Sequence, residues 1–170
     1  MNMPSDSKTS FSITTASPKD LDELHKIERL CFGGGKAASR EAFLYRLANF
    51  PGYFLKAEAG GRIAGFVNGC PSDQKFITDD LFLAGSPFKT SGRNLLIFGL
   101  AVHPDFRRQG IAHALMESIL RAAKADGKSR VSLTCEEHLI PFYEAFGYKN
   151  HGVSKSVIGG IKFFDMEMGL

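Results

Sequence analysis

A chain of 170 residues has the length of one domain and can bury a substantial core. With 44% hydrophobic and 23% charged residues it reads as an ordinary globular protein, and a net charge of +3 argues against a dedicated nucleic-acid surface. Residues 1–10 are polar without a leader-like apolar core, and no apolar run approaches the ~18 residues of a membrane span, so no membrane partner and a cytoplasmic location are expected.

Residues 1–10 read as a flexible tail ahead of a single domain over 11–170. Phe11-Ser12-Ile13-Thr14-Thr15 alternates and is β-branched, which predicts a first strand. Ser17-Pro18-Lys19-Asp20 supplies a cap, a proline suited to the first helical position and an acid three residues on. Leu21, Leu24, Ile27 and Leu30 follow at helical spacing until Gly33-Gly34-Gly35. Ser39 caps a second helix carrying Phe43, Leu44 and Leu47, which stops before Pro51. Two strand-like runs, 54–58 and 62–67, meet at Gly60-Gly61 as a hairpin.

Residues 71–92 lack periodicity and read as a long excursion with a short helix near Ile77 to Phe82. Asn94 to Val102 is too apolar for a surface strand and is expected at the centre of the sheet. Ile111, Leu115, Ile119 and Ala122 share one face of a helix running to about Asp126-Gly127. A strand at 131–134, a short helix from Ile140 to Phe146 and a period-two strand from Ile161 to Met168 complete the chain. The order β-α-α-β-β-β-α-β-α-β-β is an α/β plan with a mixed sheet. Cys31, Cys70 and Cys135 are isolated and without CxxC spacing, so neither a disulfide framework nor a metal site is expected.

Arg107-Arg108-Gln109-Gly110-Ile111-Ala112 is the most informative stretch. It joins the apolar strand to a helix start through a basic turn with one glycine. A first helical turn has N–H groups without intrahelical partners, and the helix dipole adds roughly half a positive charge there. Such a turn suits a phosphate, although the same residues also fit a solvated basic turn. The stretch lacks the Gly-Lys-Ser/Thr ending of a P-loop and the three spaced glycines of a dinucleotide fingerprint.

The stretch resembles the Arg/Gln-x-x-Gly-x-Gly/Ala pyrophosphate loop of the GNAT N-acetyltransferase superfamily. The resemblance extends over Phe98-Gly99-Leu100-Ala101-Val102-His103-Pro104, Leu133-Thr134-Cys135-Glu136 and Leu139-Ile140-Pro141-Phe142-Tyr143-Glu144-Ala145-Phe146-Gly147-Tyr148. Thr-Cys-Glu followed by Ile-Pro-Phe-Tyr-Glu, with the tail Val157 to Phe163, is similar to the arylalkylamine (serotonin) N-acetyltransferase branch. It implies a mostly antiparallel mixed sheet, splayed at the cofactor site, with helices on both faces. It also implies acetyl-CoA as co-substrate, no metal, and a small amine as acceptor for a monomer or homodimer. Leu100, Ala101 and Val102 would then offer strand backbone to the pantetheine arm. Arg107, Arg108, Gln109, Gly110, Ile111, Ala112 and His113 would surround the pyrophosphate, and Tyr143 would lie near the sulfur and protonate the departing thiolate.

An alkylamine with pKa near 10 is almost wholly protonated at pH 7, which costs on the order of 4 kcal/mol of reactivity. In the vertebrate members of that branch two histidines on the central strand are associated with proton removal. Here the corresponding positions are Leu96 and Phe98. Glu28, His103, Glu136 and His138 remain as candidates. An acid on a helix face is ordinarily solvated, but Glu28 stands beside Leu24, Ile27 and Phe32 and is carried forward as the base. His103 reads as a turn residue and His138 as exposed. Phe32, Phe43 and Phe54 suit an aromatic pocket or the core equally. The expected activity is acetyl transfer to a primary amine by direct attack. Acetylation of a protein N-terminus or polyamine, or non-catalytic acyl-CoA binding, are the alternatives.

Overall fold

The computed structural model describes residues 9–33, 35–82 and 91–170. Most of the expected tail and much of the 71–92 excursion therefore lie outside the described residues. The alternating first run forms strand β1 (Phe11–Thr15), whose register pairs Phe11 with Ala59 and Thr15 with Leu55 of β2 (Phe54–Ala59). Between them the Asp20 carboxylate accepts the Ser17 main-chain N–H at 2.9 Å, and one 3-10 turn leads into helix α1 (Leu21–Cys31). Ser39 Oγ accepts the Ala42 N–H at 3.1 Å and starts helix α2 (Arg40–Asn49), which ends ahead of Pro51 as expected.

Strand β3 (Arg62–Ser72) runs five residues beyond the expected Val67, because its distal half pairs with β4 (Asn94–Val102) out to Ser72 opposite Asn94. Pairing across the sheet thus extends the strand even through Pro71. The short helix expected near Ile77 to Phe82 is a 3-10 turn over Asp79–Phe82. Helix α3 (Ile111–Ala125), strand β5 (Arg130–Glu136), helix α4 (Ile140–Glu144), strand β6 (Lys149–Val153) and strand β7 (Phe163–Gly169) follow. The helix bearing Tyr143 ends two residues earlier than expected.

The seven strands are ordered β1-β2-β3-β4-β5-β7-β6, so β4 is central. Among the described residues only the β4–β5 pair is parallel, the arrangement expected of a mixed, mostly antiparallel sheet. Helices α1 and α2 cover one face, where Leu24, Ile27, Phe43, Leu47, Phe54 and Phe66 pack with Ala101. Helix α3 covers the other face through Ile111, Leu115, Met116 and Ile119, packed on Leu95, Ile97 and Val131. Each helix contributes one apolar stripe, and burying both stripes on a shared sheet gives a three-layer α/β domain. Among the described residues, no helix is long and apolar enough to cross a membrane.

Candidate active site

The site originates in a gap within the sheet. Strand β4 pairs with β5 only over Asn94–Leu96 and Arg130–Ser132. Beyond Leu96 each strand is held on its outer side only, β4 by β3 as far as Val102 and β5 by β7 as far as Glu136. The main-chain groups of residues 97–102 that face β5 thus have no strand partner. Asn68 opposes Gly99 while Gly69 opposes Ile97, so Phe98 is the extra residue of a bulge in β4. Bulges bend a strand and re-aim its side chains. A cavity of about 910 Å³ follows this gap and is lined by Glu28, Leu100, Ala101, Val102, Arg107 and Tyr143 among others.

At one end of the gap stands the N-terminus of α3. Gly110 caps it with φ +81°, and Arg108 has φ +62°. Both lie in the left-handed region, which glycine adopts freely and a side chain adopts at a cost. The first hydrogen bond of the helix joins the Ala114 N–H to the Gly110 carbonyl at 3.1 Å. The N–H groups of Ile111, Ala112 and His113 therefore precede the intrahelical ladder and are available to an anion. Arg108, Gln109, Gly110, Ile111, Ala112 and His113 are not among the residues that line the cavity. The His113 ring lies 3.1 Å from Glu117 and packs on Phe146, so its side chain is engaged. Arg107 instead reaches into the cavity wall, donating from Nε to the Val102 carbonyl at 3.2 Å.

On the opposite side of β4 the structure overturns the ordinary expectation of a solvated Glu28. The residue is only 6% exposed, because Leu21, Leu24, Ile27 and Glu28 form the inward stripe of α1. Its Oε1 accepts the Ala38 N–H at 3.0 Å, and its Oε2 is buried with no partner among the described residues. Burial pushes its pKa up to about 7, while the Ala38 N–H and the nearby Arg46 charge act the other way. A side chain at Gly99 would lie 4.0 Å from Glu28 Oε2 and 3.6 Å from the Asn68 amide nitrogen, which is likewise buried without a partner. The glycine keeps that space over the β4 backbone open.

Arg46 and Asn68 are the residues that sequence reasoning missed. Arg46 is 3% exposed; its guanidinium donates to Asn68 Oδ1 and to the Phe82 carbonyl, each at 3.1 Å, and lies 4.1 Å from the centre of the Phe98 ring. A signal existed, since Ala42, Phe43, Arg46 and Leu47 share the buried face of α2. Asn68 carried none, being one polar letter in an apolar strand.

Tyr143 is buried at 7% exposure on the cavity wall, its ring edge-on to Phe142 and Tyr148. Burial first, and then the neighbouring Cys135, push its phenol well above the ordinary range, so it stays protonated at every working pH. The remaining candidate bases are otherwise engaged. His103 Nδ1 accepts the Asp105 N–H at 3.1 Å, as a turn residue does. Glu136 is ion-paired with Lys36 at 2.9 Å, and His138 is exposed beside it. Phe32 lines the cavity, whereas Phe43 and Phe54 are fully buried core. No group of three or more metal-ligating side chains occurs among the described residues.

A groove that runs along strand backbone without a neighbouring strand and reaches Arg107, just ahead of the N-terminus of α3, has room for a long ligand that carries phosphate at one end. That is the shape of an acyl-coenzyme A. The chain belongs to the acetyltransferase (GNAT) family, whose model matches residues 21–148. It is 28% identical to serotonin N-acetyltransferase of Mesocricetus auratus, over 91% of this chain and 75% of that protein. Against human N-acetyltransferase 8 the identity is 30%, over 59% of this chain and 40% of that one. Among solved structures, the loading GNATL domain of CurA from Lyngbya majuscula superposes with a TM-score of 0.81 at 15% identity, covering 94% of this chain and 98% of that one. Arabidopsis thaliana Naa50, in complex with a bisubstrate analogue, gives 0.75 at 15% identity, covering 95% and 99%. These structural likenesses carry the fold, and the family assignment rests on the family model.

Proposed function

We propose that this acetyltransferase moves an acetyl group from acetyl-CoA to a primary amine, of small arylalkylamine type, by direct attack within a ternary complex. The observation that carries the reading is the unpartnered Glu28 Oε2 on the same cavity as the buried phenol of Tyr143. A carboxylate with pKa near 7 is ionised in half or more of the molecules at neutral pH, yet is basic enough to take a proton from an ammonium group. The gap to an amine pKa of 10 is then about 3 units, against about 6 for an ordinary carboxylate.

The first-turn amides after Gly110, with Arg107 and Arg108, hold the pyrophosphate, and the edge of β4 at Leu100, Ala101 and Val102, which lacks a neighbouring strand there, holds the pantetheine arm. When bound, acetyl-CoA supplies the activated acyl group. A central-strand N–H near Phe98-Gly99-Leu100 polarises the acyl oxygen. Glu28 accepts the proton of the incoming amine, and Tyr143 donates a proton toward the sulfur. Burial also pushes the thiol of Cys135, on the same wall, up to about 11. A departing thiolate in those surroundings would be disfavoured for the same reason, which favours its protonation as it leaves. No covalent enzyme intermediate is required, so none of the cysteines is needed for turnover.

The test is thiol release from acetyl-CoA across a panel of arylalkylamines, polyamines and peptides, with wild type and Glu28→Gln compared from pH 5 to 9. Turnover of arylalkylamines whose kcat/KM rises through about pH 7, with the rise lost in Glu28→Gln, is the expected result. Turnover of peptides alone would move the acceptor to protein N-termini. Coenzyme A binding without turnover of any amine would overturn the enzymatic reading.

A further inference from the structure

We infer that Arg46 is a positioning residue of this site: its guanidinium orients Asn68 and the Phe98 bulge of β4, and it sets a buried positive charge opposite Glu28. The inference rests on the reading of Glu28 as the base and deepens it. Three contacts define the geometry. One guanidinium nitrogen donates to Asn68 Oδ1 at 3.1 Å, which leaves the amide nitrogen of Asn68, a donor, turned toward the space over Gly99. A second nitrogen donates to the Phe82 carbonyl at 3.1 Å, tying the turn after β3 to α2. The planar guanidinium also lies over the Phe98 ring at 4.1 Å. One side chain thus spans α2, β3, the 79–82 turn and the bulge that opens the sheet.

Only a planar, forked cation can meet all three partners at once, and a lysine ammonium cannot. Burial would ordinarily exclude such a charge unless it is paired and hydrogen-bonded. Here the compensation comes from Asn68, Phe82, Phe98 and the electrostatic attraction of Glu28. Glu28 is faced from α2 by Arg46, from β3 by Asn68, from the loop after α1 by the Ala38 N–H, and from β4 by Gly99, which brings no side chain; Cys70 of β3 interacts with Arg46. His25, on its own helix, is turned to the Ala38 carbonyl, and Lys36 is held by Glu136. Among the described residues, Arg46 is therefore the cation that biases Glu28 toward its ionised form.

The experiment measures kcat/KM for the best amine of the panel against pH in wild type, Arg46→Gln, Arg46→Lys and Glu28→Gln. Coenzyme A affinity is measured in parallel by calorimetry. Removing the charge in Arg46→Gln is expected to move the acid limb up by about 1 pH unit. Arg46→Lys is expected to keep the wild-type limb while kcat falls about tenfold, since an ammonium cannot hold Asn68, Phe82 and Phe98 together. Coenzyme A affinity should stay within about twofold in both, because the phosphate cradle lies across β4. An unmoved limb in Arg46→Gln overturns the inference, as does an affinity loss matching the loss of kcat. Should Arg46→Gln fail to fold, Arg46→Lys decides: wild-type kcat there overturns the inference, and a lowered kcat on an unmoved limb supports it. A limb that survives Glu28→Gln indicts the base itself. A limb lost in Glu28→Gln but unmoved in Arg46→Gln indicts Arg46 alone.

Discussion

A carboxylate with one oxygen on a main-chain N–H and the other bare is costly to bury, and a phenol nearby carries a similar cost for its ionised form. Desolvation raises both groups, Glu28 from the carboxylate range to about 7 and Tyr143 above the ordinary phenol range, so the carboxyl remains the stronger acid and the two suit the opposite proton roles proposed for them. Replacing Tyr143 with Phe removes the donor and keeps the ring. Turnover should fall about 100-fold while coenzyme A affinity, read by calorimetry, stays nearly unchanged. Equal activity would remove the phenol from the mechanism. The candidacy of Tyr143 was legible from the resemblance of its flanking residues. That of Glu28 was half legible, because its place beside Leu24 and Ile27 was visible but the wall that closes over it was not.

At the scale of elements, the strand–loop–helix unit from Asn94 to Ala125 carries most of the binding argument. Its boundaries follow from local chemistry: an apolar run, a proline turn, a glycine at φ +81° and a 3.6-residue stripe. Gly110→Ala would force an L side chain into the left-handed region, at a cost of about 1 kcal/mol. Nothing lies within 4 Å of where its Cβ would sit, so the strain is conformational and not steric. The expected result is a modest loss of stability in urea melts together with coenzyme A binding weakened about tenfold, the equivalent of about 1.4 kcal/mol. Wild-type affinity in a folded Gly110→Ala protein would remove the loop from phosphate binding. The 71–92 region shows why other element boundaries failed. Its first two residues are strand because β4 pairs with them, and no local periodicity announces such pairing.

For the whole molecule, the buried acid makes stability depend on pH. The folded protein holds the Glu28 proton up to about pH 7, whereas the unfolded chain releases it near 4.5. Stability from this group is therefore fully present below pH 4.5 and is lost as pH rises through about 7, by on the order of 3 kcal/mol. Urea denaturation of wild type and Glu28→Gln at pH 5 and pH 8 checks the sign. The variant should lose less stability between the two pH values than wild type does. A wild-type protein no more sensitive than the variant would mean that Glu28 is ionised in the fold at no cost. Part of that cost is already offset by the nearby charge of Arg46.

What the amino-acid order determined by itself was the succession of elements, the capped starts of both early helices, the central place of β4 and the basic turn at Gly110. Each of these depends on hydrogen bonds and apolar spacing within a few residues. Only the tertiary structure decided that Glu28, Arg46, Asn68 and Gly99 meet. Arg46 and Asn68 stand 22 positions apart on a helix and a strand whose approach is set by the packing of Phe43, Phe54 and Phe66. The pattern of a helix says which face is turned inward. The free energy of a charge on that face depends on what the rest of the chain places against it, and that is a long-range property.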